Sequence, residues 1–152
     1  MGLLTGRLVA EFELRSSGDL FHDMFSTKPH HISNVSPQHI QGCDLHEGEF
    51  GVPGSVIFWN YTIDGKANVA KNIVEAIDVE NKSITFNVIE GDLTKEYKTF
   101  KVTNDIVPKG DIDVVMWTIE YEKLQESVPE PVKILELAIN ITKDIEAHHL
   151  KA

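Results

Sequence analysis

The feature that most constrains this chain is a change of hydrophobic period near residue 130. Up to that point apolar residues mostly alternate with polar ones, the two-residue rhythm of strands with one face buried. After Pro129-Glu130-Pro131 the rhythm changes: Ile134, Ala138, Ile141 and Ile145 recur at helical spacing, and Leu135, Leu137 and Ile139 widen the stripe. Proline and acid suit a helix start, so a helix is expected from about Glu130 to His149. A helix this apolar must lie against a large apolar surface, and one face of a sheet is the surface left for it.

Leu4 to Leu14 alternate, with Leu8, Ala10, Phe12 and Leu14 opposite Arg7, Glu11 and Glu13, which predicts a half-buried strand. Ser16 and Ser17 can cap a short helix running to about Phe25, and a second short helix is expected between Pro29 and Pro37. Asp64-Gly65 is a hairpin signal between two strand-like runs. Glu80-Asn81-Lys82, Gly91-Asp92 and Pro108-Lys109-Gly110 mark further turns. Six strands are expected near 41–46, 55–62, 66–78, 83–90, 95–106 and 112–123, making seven with the first.

Length and charge limit the function. A chain of 152 residues is enough for one domain with a real core, so 1–152 reads as a single unit. The formal charge of −10, with no basic cluster, argues against a nucleic-acid partner, because phosphate binding needs grouped Lys and Arg. Cys43 is the only cysteine, so no intrachain disulfide is possible. Met1 to Arg7 is too short and too soon interrupted to be a signal peptide. No apolar run approaches the roughly 20 residues that span a bilayer. Met1-Gly2 resembles an acylation start, but Gly6 stands where that pattern wants Ser or Thr. Without an export signal the sequons at Asn34, Asn60, Asn81 and Asn140 read as chance matches. A cytosolic monomer with no stable membrane insertion is expected.

Phe21-His-Asp-Met-Phe25, Lys28-Pro-His-His-Ile32, Ile40-Gln-Gly-Cys-Asp-Leu-His-Glu-Gly48, Trp59-Asn-Tyr61, Asp64-Gly-Lys-Ala67, Ile89-Glu-Gly-Asp92, Lys95-Glu-Tyr97 and Ile119-Glu-Tyr-Glu-Lys123 together carry a resemblance to a known family. As a set, over the whole chain, they resemble the major latex protein branch of the Bet v I (pathogenesis-related class ten) superfamily more than its pollen-allergen branch. The resemblance implies an α+β, helix-grip, START-like fold. In it a seven-stranded curved antiparallel sheet surrounds a long C-terminal helix, with two short helices beside it. It also implies an internal cavity for lipid-like or hormone-like molecules and a role in stress or defence responses and development.

Strand parity then names a wall for that cavity. The inward faces are Ile57, Trp59 and Tyr61; Ile84, Phe86 and Val88; Phe100 and Val102; and Val115, Trp117, Ile119 and Tyr121. Ile134, Ala138 and Ile141 face them from the helix. The strand from Lys66 does not resolve, because Val69, Ile73 and Ile77 compete with Ala70, Val74 and Ala76. By pattern alone these residues are plain core; the resemblance turns part of that core into a pocket. Some superfamily members are enzymes acting on alkaloid intermediates, and such chemistry needs a positioned acid or base. The resolved faces offer no carboxylate, lysine or histidine, which points to a carrier, although Asn72 or Lys71 could lie in the wall. A third possibility is an interaction module working through its acidic surface.

Two further patterns invite other chemistry. Gly48, Gly51 and Gly54 are spaced like a phosphate loop, but a strand follows and the loop has no lysine, so a tight structural connection is expected. The pairs His30-His31 and His148-His149 are sequence neighbours that face different ways on a helix, and His46 near Cys43 and Asp44 has no zinc spacing. No metal or other cofactor is expected.

Overall fold

The computed structural model describes residues 4–151; Met1-Gly2, weighed above as an acylation start, lies outside the described residues. The chain runs β1 (Thr5–Leu14), α1 (Gly18–Ser26), a 3-10 turn (Pro29–His31) leading into α2 (Ile32–Val35), then β2 (Ile40–Glu47), β3 (Val56–Ile63), β4 (Lys66–Asp78) and β5 (Ser83–Gly91). A 3-10 turn (Leu93–Lys95), β6 (Tyr97–Lys109), β7 (Ile112–Lys123) and α3 (Val132–Lys151) complete it. All strand pairs are antiparallel, in the order β1-β7-β6-β5-β4-β3-β2, so the first strand closes against the last. This is the expected seven-stranded curved sheet with a long C-terminal helix.

Local chemistry explains the joins. Ser17 caps α1 by accepting from the Asp19 amide at 3.1 Å, and the Gly18 amide donates to Asp113 Oδ2 at 3.0 Å, which ties α1 to the start of β7. Lys82 pairs with Asp19 at 2.9 Å, so the β4–β5 turn lies at the same end of the sheet as α1. β6 continues through Pro108, beyond the expected end near 106. Its pairing with β5 ends at Asp105, the Ile106 amide donates to the Lys82 carbonyl at 3.1 Å, and Pro108 beyond pairs with Asp113 of β7, at an edge that tolerates the missing proline N–H.

The α3 stripe divides in two. Ala138, Ile141, Thr142 and Ile145 are buried, whereas Ile134, Leu135 and Leu137 are half-buried. The C-terminal half is locked by Glu146, whose Oε1 accepts from the Arg15 amide at 2.5 Å, the Ser16 amide at 2.9 Å and the Ser16 hydroxyl at 3.1 Å. The Ser36 hydroxyl donates to Asp144 at 2.6 Å and fastens α2 to the same helix. The N-terminal half has fewer such ties and lies over the part of the sheet where side chains do not fill the space.

Candidate functional site

The site is the gap between the concave face of the sheet and the first turns of α3. Alternation along β3, β5 and β7 turns Trp59, Tyr61, Phe86, Val88 and Trp117 into this gap, with Phe100 and Val102 from β6 and Ile134, Ala138 and Ile141 from α3. These ten expected residues line a cavity of about 120 Å3. An engineered apolar cavity of roughly 150 Å3 takes up benzene, so the space as it stands suits a ligand about one ring in size.

Four other expected wall residues, Ile57, Ile84, Val115 and Ile119, are fully buried but do not line the cavity. Ile57, Ile84 and Val115 lie one inward step nearer the sheet end that α1 closes, where Phe21, Met24 and Phe25 fill the space. Ile119 is flanked by Leu8 on β1 and Val102 on β6 and is packed over. Parity set their facing but not how far the cavity extends along each strand.

The structure adds Phe25, Ile40, Ala70, Asn72, Leu93 and Leu137 to the wall. The facing of β4 becomes clear here. Ala70, Asn72 and Val74 are buried, and a bulge between Val74 and Ala76 then reverses the alternation, so that Ile77 packs against the core instead of Ala76. Lys71 points outward and pairs with Glu90 at 3.9 Å. Asn72, 5% exposed, is the one wall residue with a polar amide side chain.

Aromatic edges hold the wall in place. The ring centroids of Phe25 and Trp117 are 5.3 Å apart in a T-shaped contact, and Trp59 meets Phe86 the same way at 6.3 Å. The Trp117 indole N–H donates to Thr142 Oγ1 at 2.8 Å, and that hydroxyl donates to the Ala138 carbonyl at 2.7 Å. Tyr97 donates to the Pro129 carbonyl at 2.5 Å, which anchors the segment leading into α3, and burial pushes its phenol up to about 12. Tyr121 is buried against Tyr97 and does not reach the cavity. Tyr61, Leu93 and Ile134 line both the cavity and an outer depression bounded by Asp64, Lys66, Asp92, Lys95 and Lys133. An ion pair between Lys133 and Asp64 spans that depression, joining α3 to the β3–β4 turn.

Among the lining residues there is no carboxylate, lysine or histidine. Cys43 is buried, and burial foremost, with Asp44 second, pushes its thiol up to about 12, so it stays protonated at neutral pH. Among the described residues no group of three or more His, Cys, Asp or Glu could hold a metal ion. The His30 ring stacks on Phe50. Gly48, Gly51 and Gly54 all take positive φ, at 82°, 88° and 90°, which turns the chain sharply between β2 and β3. Ser55 Oγ accepts from the Glu49 amide at 3.0 Å and donates to the Glu49 carbonyl at 2.6 Å, so this loop is tied to itself. Among the described residues no helix is long and apolar enough to cross a membrane.

The sequence model of the pathogenesis-related protein Bet v 1 family matches residues 3–152. MLP-like protein 28 of Arabidopsis thaliana is 49% identical over 149 residues, 97% of this chain, although the chain spans only 44% of that relative. The crystal structure of ginseng major latex-like protein 151 from Panax ginseng is 52% identical and superposes with a TM-score of 0.95, covering 97% of this chain and 99% of that one. Norcoclaurine synthase from Thalictrum flavum shares the fold, with a TM-score of 0.80 over 97% of this chain and 87% of its own, at 20% identity.

Proposed function

The chain belongs to the pathogenesis-related protein Bet v 1 family, and we propose that it is a non-catalytic carrier or sensor that holds an apolar small molecule inside its sheet. The observation that carries this reading is the cavity: about 120 Å3 of space, walled by aromatic and aliphatic side chains, under the less firmly tied half of α3. Binding rather than catalysis is supported by a wall without a carboxylate, lysine or histidine, whose phenol, Tyr61, burial keeps protonated at neutral pH. The depression that meets the cavity at Tyr61, Leu93 and Ile134 is the route of entry. Ligands longer than one ring, such as fatty acids, sterols or hormone-like molecules, require the first turns of α3 to move outward. In this reading the chain acts as one ligand-binding domain, a cytosolic monomer with no nucleic-acid partner, in stress or defence responses.

Tryptophan fluorescence tests the reading, because the chain has two tryptophans and both lie on the wall. An apolar ligand is expected to shift the emission of the wild type and of the Trp59→Phe and Trp117→Phe variants. A ligand that calorimetry shows to bind, yet that leaves both variants' emission unchanged, would place the site elsewhere.

A further inference from the structure

We propose that Asn72 is the polar anchor of the cavity, and that the preferred ligand carries an uncharged hydroxyl or carbonyl on the end that enters first. This rests on the carrier reading and narrows it to a class of molecule. Asn72 is nine-tenths or more buried, lies on the wall, and its side-chain amide has no hydrogen-bond partner among the described residues. The wall side chain with a hydroxyl, Tyr61, also lines the outer depression and so stands at the mouth. Register puts the two at different depths: Tyr61 is opposite Asn68, and Asn72 is opposite Ile57, four residues farther along β4. At the rise of a strand that is roughly 13 Å.

The chemistry of an amide sets the class. It offers a carbonyl acceptor and two N–H donors, so it can pair with a hydroxyl or a carbonyl. A carboxylate at the same depth would have no cation, since no lysine, arginine or histidine lines the cavity, and an unpaired buried charge is strongly disfavoured. An acid must therefore keep its head at the mouth, whereas an alcohol, ketone or amide can enter head first. The bulge that follows Val74 leaves the Ala70-Asn72-Val74 alternation facing inward, so the backbone holds this amide toward the cavity.

Calorimetric titration of the intact protein with ethylbenzene, benzyl alcohol and benzoate tests the proposal, against wild type and Asn72→Leu. All three probes are of a size that the cavity takes without movement of α3. The affinity of benzyl alcohol relative to ethylbenzene is expected to fall about tenfold in Asn72→Leu, because the ligand hydroxyl loses its partner. Benzoate, obliged to keep its head at the mouth, is expected to bind wild type more weakly than the alcohol and to be insensitive to Asn72→Leu. Should the leucine variant not fold, Asn72→Val carries the same comparison. A relative affinity that changes less than about twofold, with both neutral probes bound, overturns the anchor while leaving the carrier reading intact. Benzoate that displaces the alcohol with equal affinity overturns the restriction to uncharged ligands. If neither neutral probe binds wild type, the carrier reading fails together with the anchor.

Discussion

Two asparagines on the inner face of the sheet have opposite surroundings. Asn72 opens on the cavity, but Asn104 on β6 lies deeper, between Ile84 and Trp117 on the adjoining strands, with no exposed surface. Neither its amide oxygen nor its nitrogen has a hydrogen-bond partner among the described residues. A buried polar group left without a partner costs roughly 1–3 kcal/mol. Asn104→Val, close in volume and suited to a strand, is expected to raise stability by about 1 kcal/mol or more, read from urea unfolding. A less stable variant would mean that the amide makes a stabilising contact. Glu146 is the reverse case, a carboxylate 6% exposed whose single oxygen serves three donors. Glu146→Ala strands the Arg15 and Ser16 amides, and a loss of about 2–3 kcal/mol is expected in the same measurement. A change under about 0.5 kcal/mol would show that these contacts do not hold α3.

The elements differ in how legible they are from sequence. In β3, β5 and β7 the alternation is unbroken, so the inward facing of Trp59, Tyr61, Phe86, Val88 and Trp117 follows from parity alone. β4 is unreadable that way because its bulge at Glu75 joins two stretches of opposite phase, and both Val74 and Ile77 end inside. Phe25, Leu93 and Ile40 escape the reading for a different reason. They sit on α1, on a 3-10 turn and at the first residue of a strand, where no period fixes a direction. The α3 stripe is visible in sequence, but the sequence does not say that only its second half is firmly packed. The glycines of the β2–β3 loop are legible as a turn, and their positive φ values are the physical form of that signal. The fold as a whole came from a resemblance over many segments, whereas the extent of the cavity depends on how α1 fills one end of the sheet.

For the molecule as a whole, three buried or half-buried histidines link stability to pH. Burial holds His22 below the ordinary histidine range, outweighing Asp23, and burial also lowers His30 and His149. The folded protein then binds fewer protons than the unfolded chain once the pH falls below about 6.5. Stability is full above that value and declines as the pH falls through the lowered folded values. A urea midpoint lower at pH 5.5 than at pH 7.5 is expected, with His22→Asn reducing the difference; a midpoint that rises on acidification would contradict it.

The central claim is that the ligand sits inside and is held by apolar contact. The most direct measurement is a calorimetric titration of 1-alkanols of increasing length, with the matching fatty acids alongside, against wild type and Ala138→Phe, at low and moderate salt. Burying a methylene contributes roughly 0.8 kcal/mol, or about fourfold in affinity, and about ten of them less several kcal/mol of ordering cost leaves a micromolar complex. Affinity is expected to climb with chain length and then level off, to depend little on salt, and to fall in Ala138→Phe more for long chains than for short ones. Ala138 is buried on the cavity wall, so the phenyl ring takes space that the chain would fill. Binding that follows head-group charge, vanishes at moderate salt and ignores both chain length and the Ala138→Phe change would place the ligand on the surface and contradict the account.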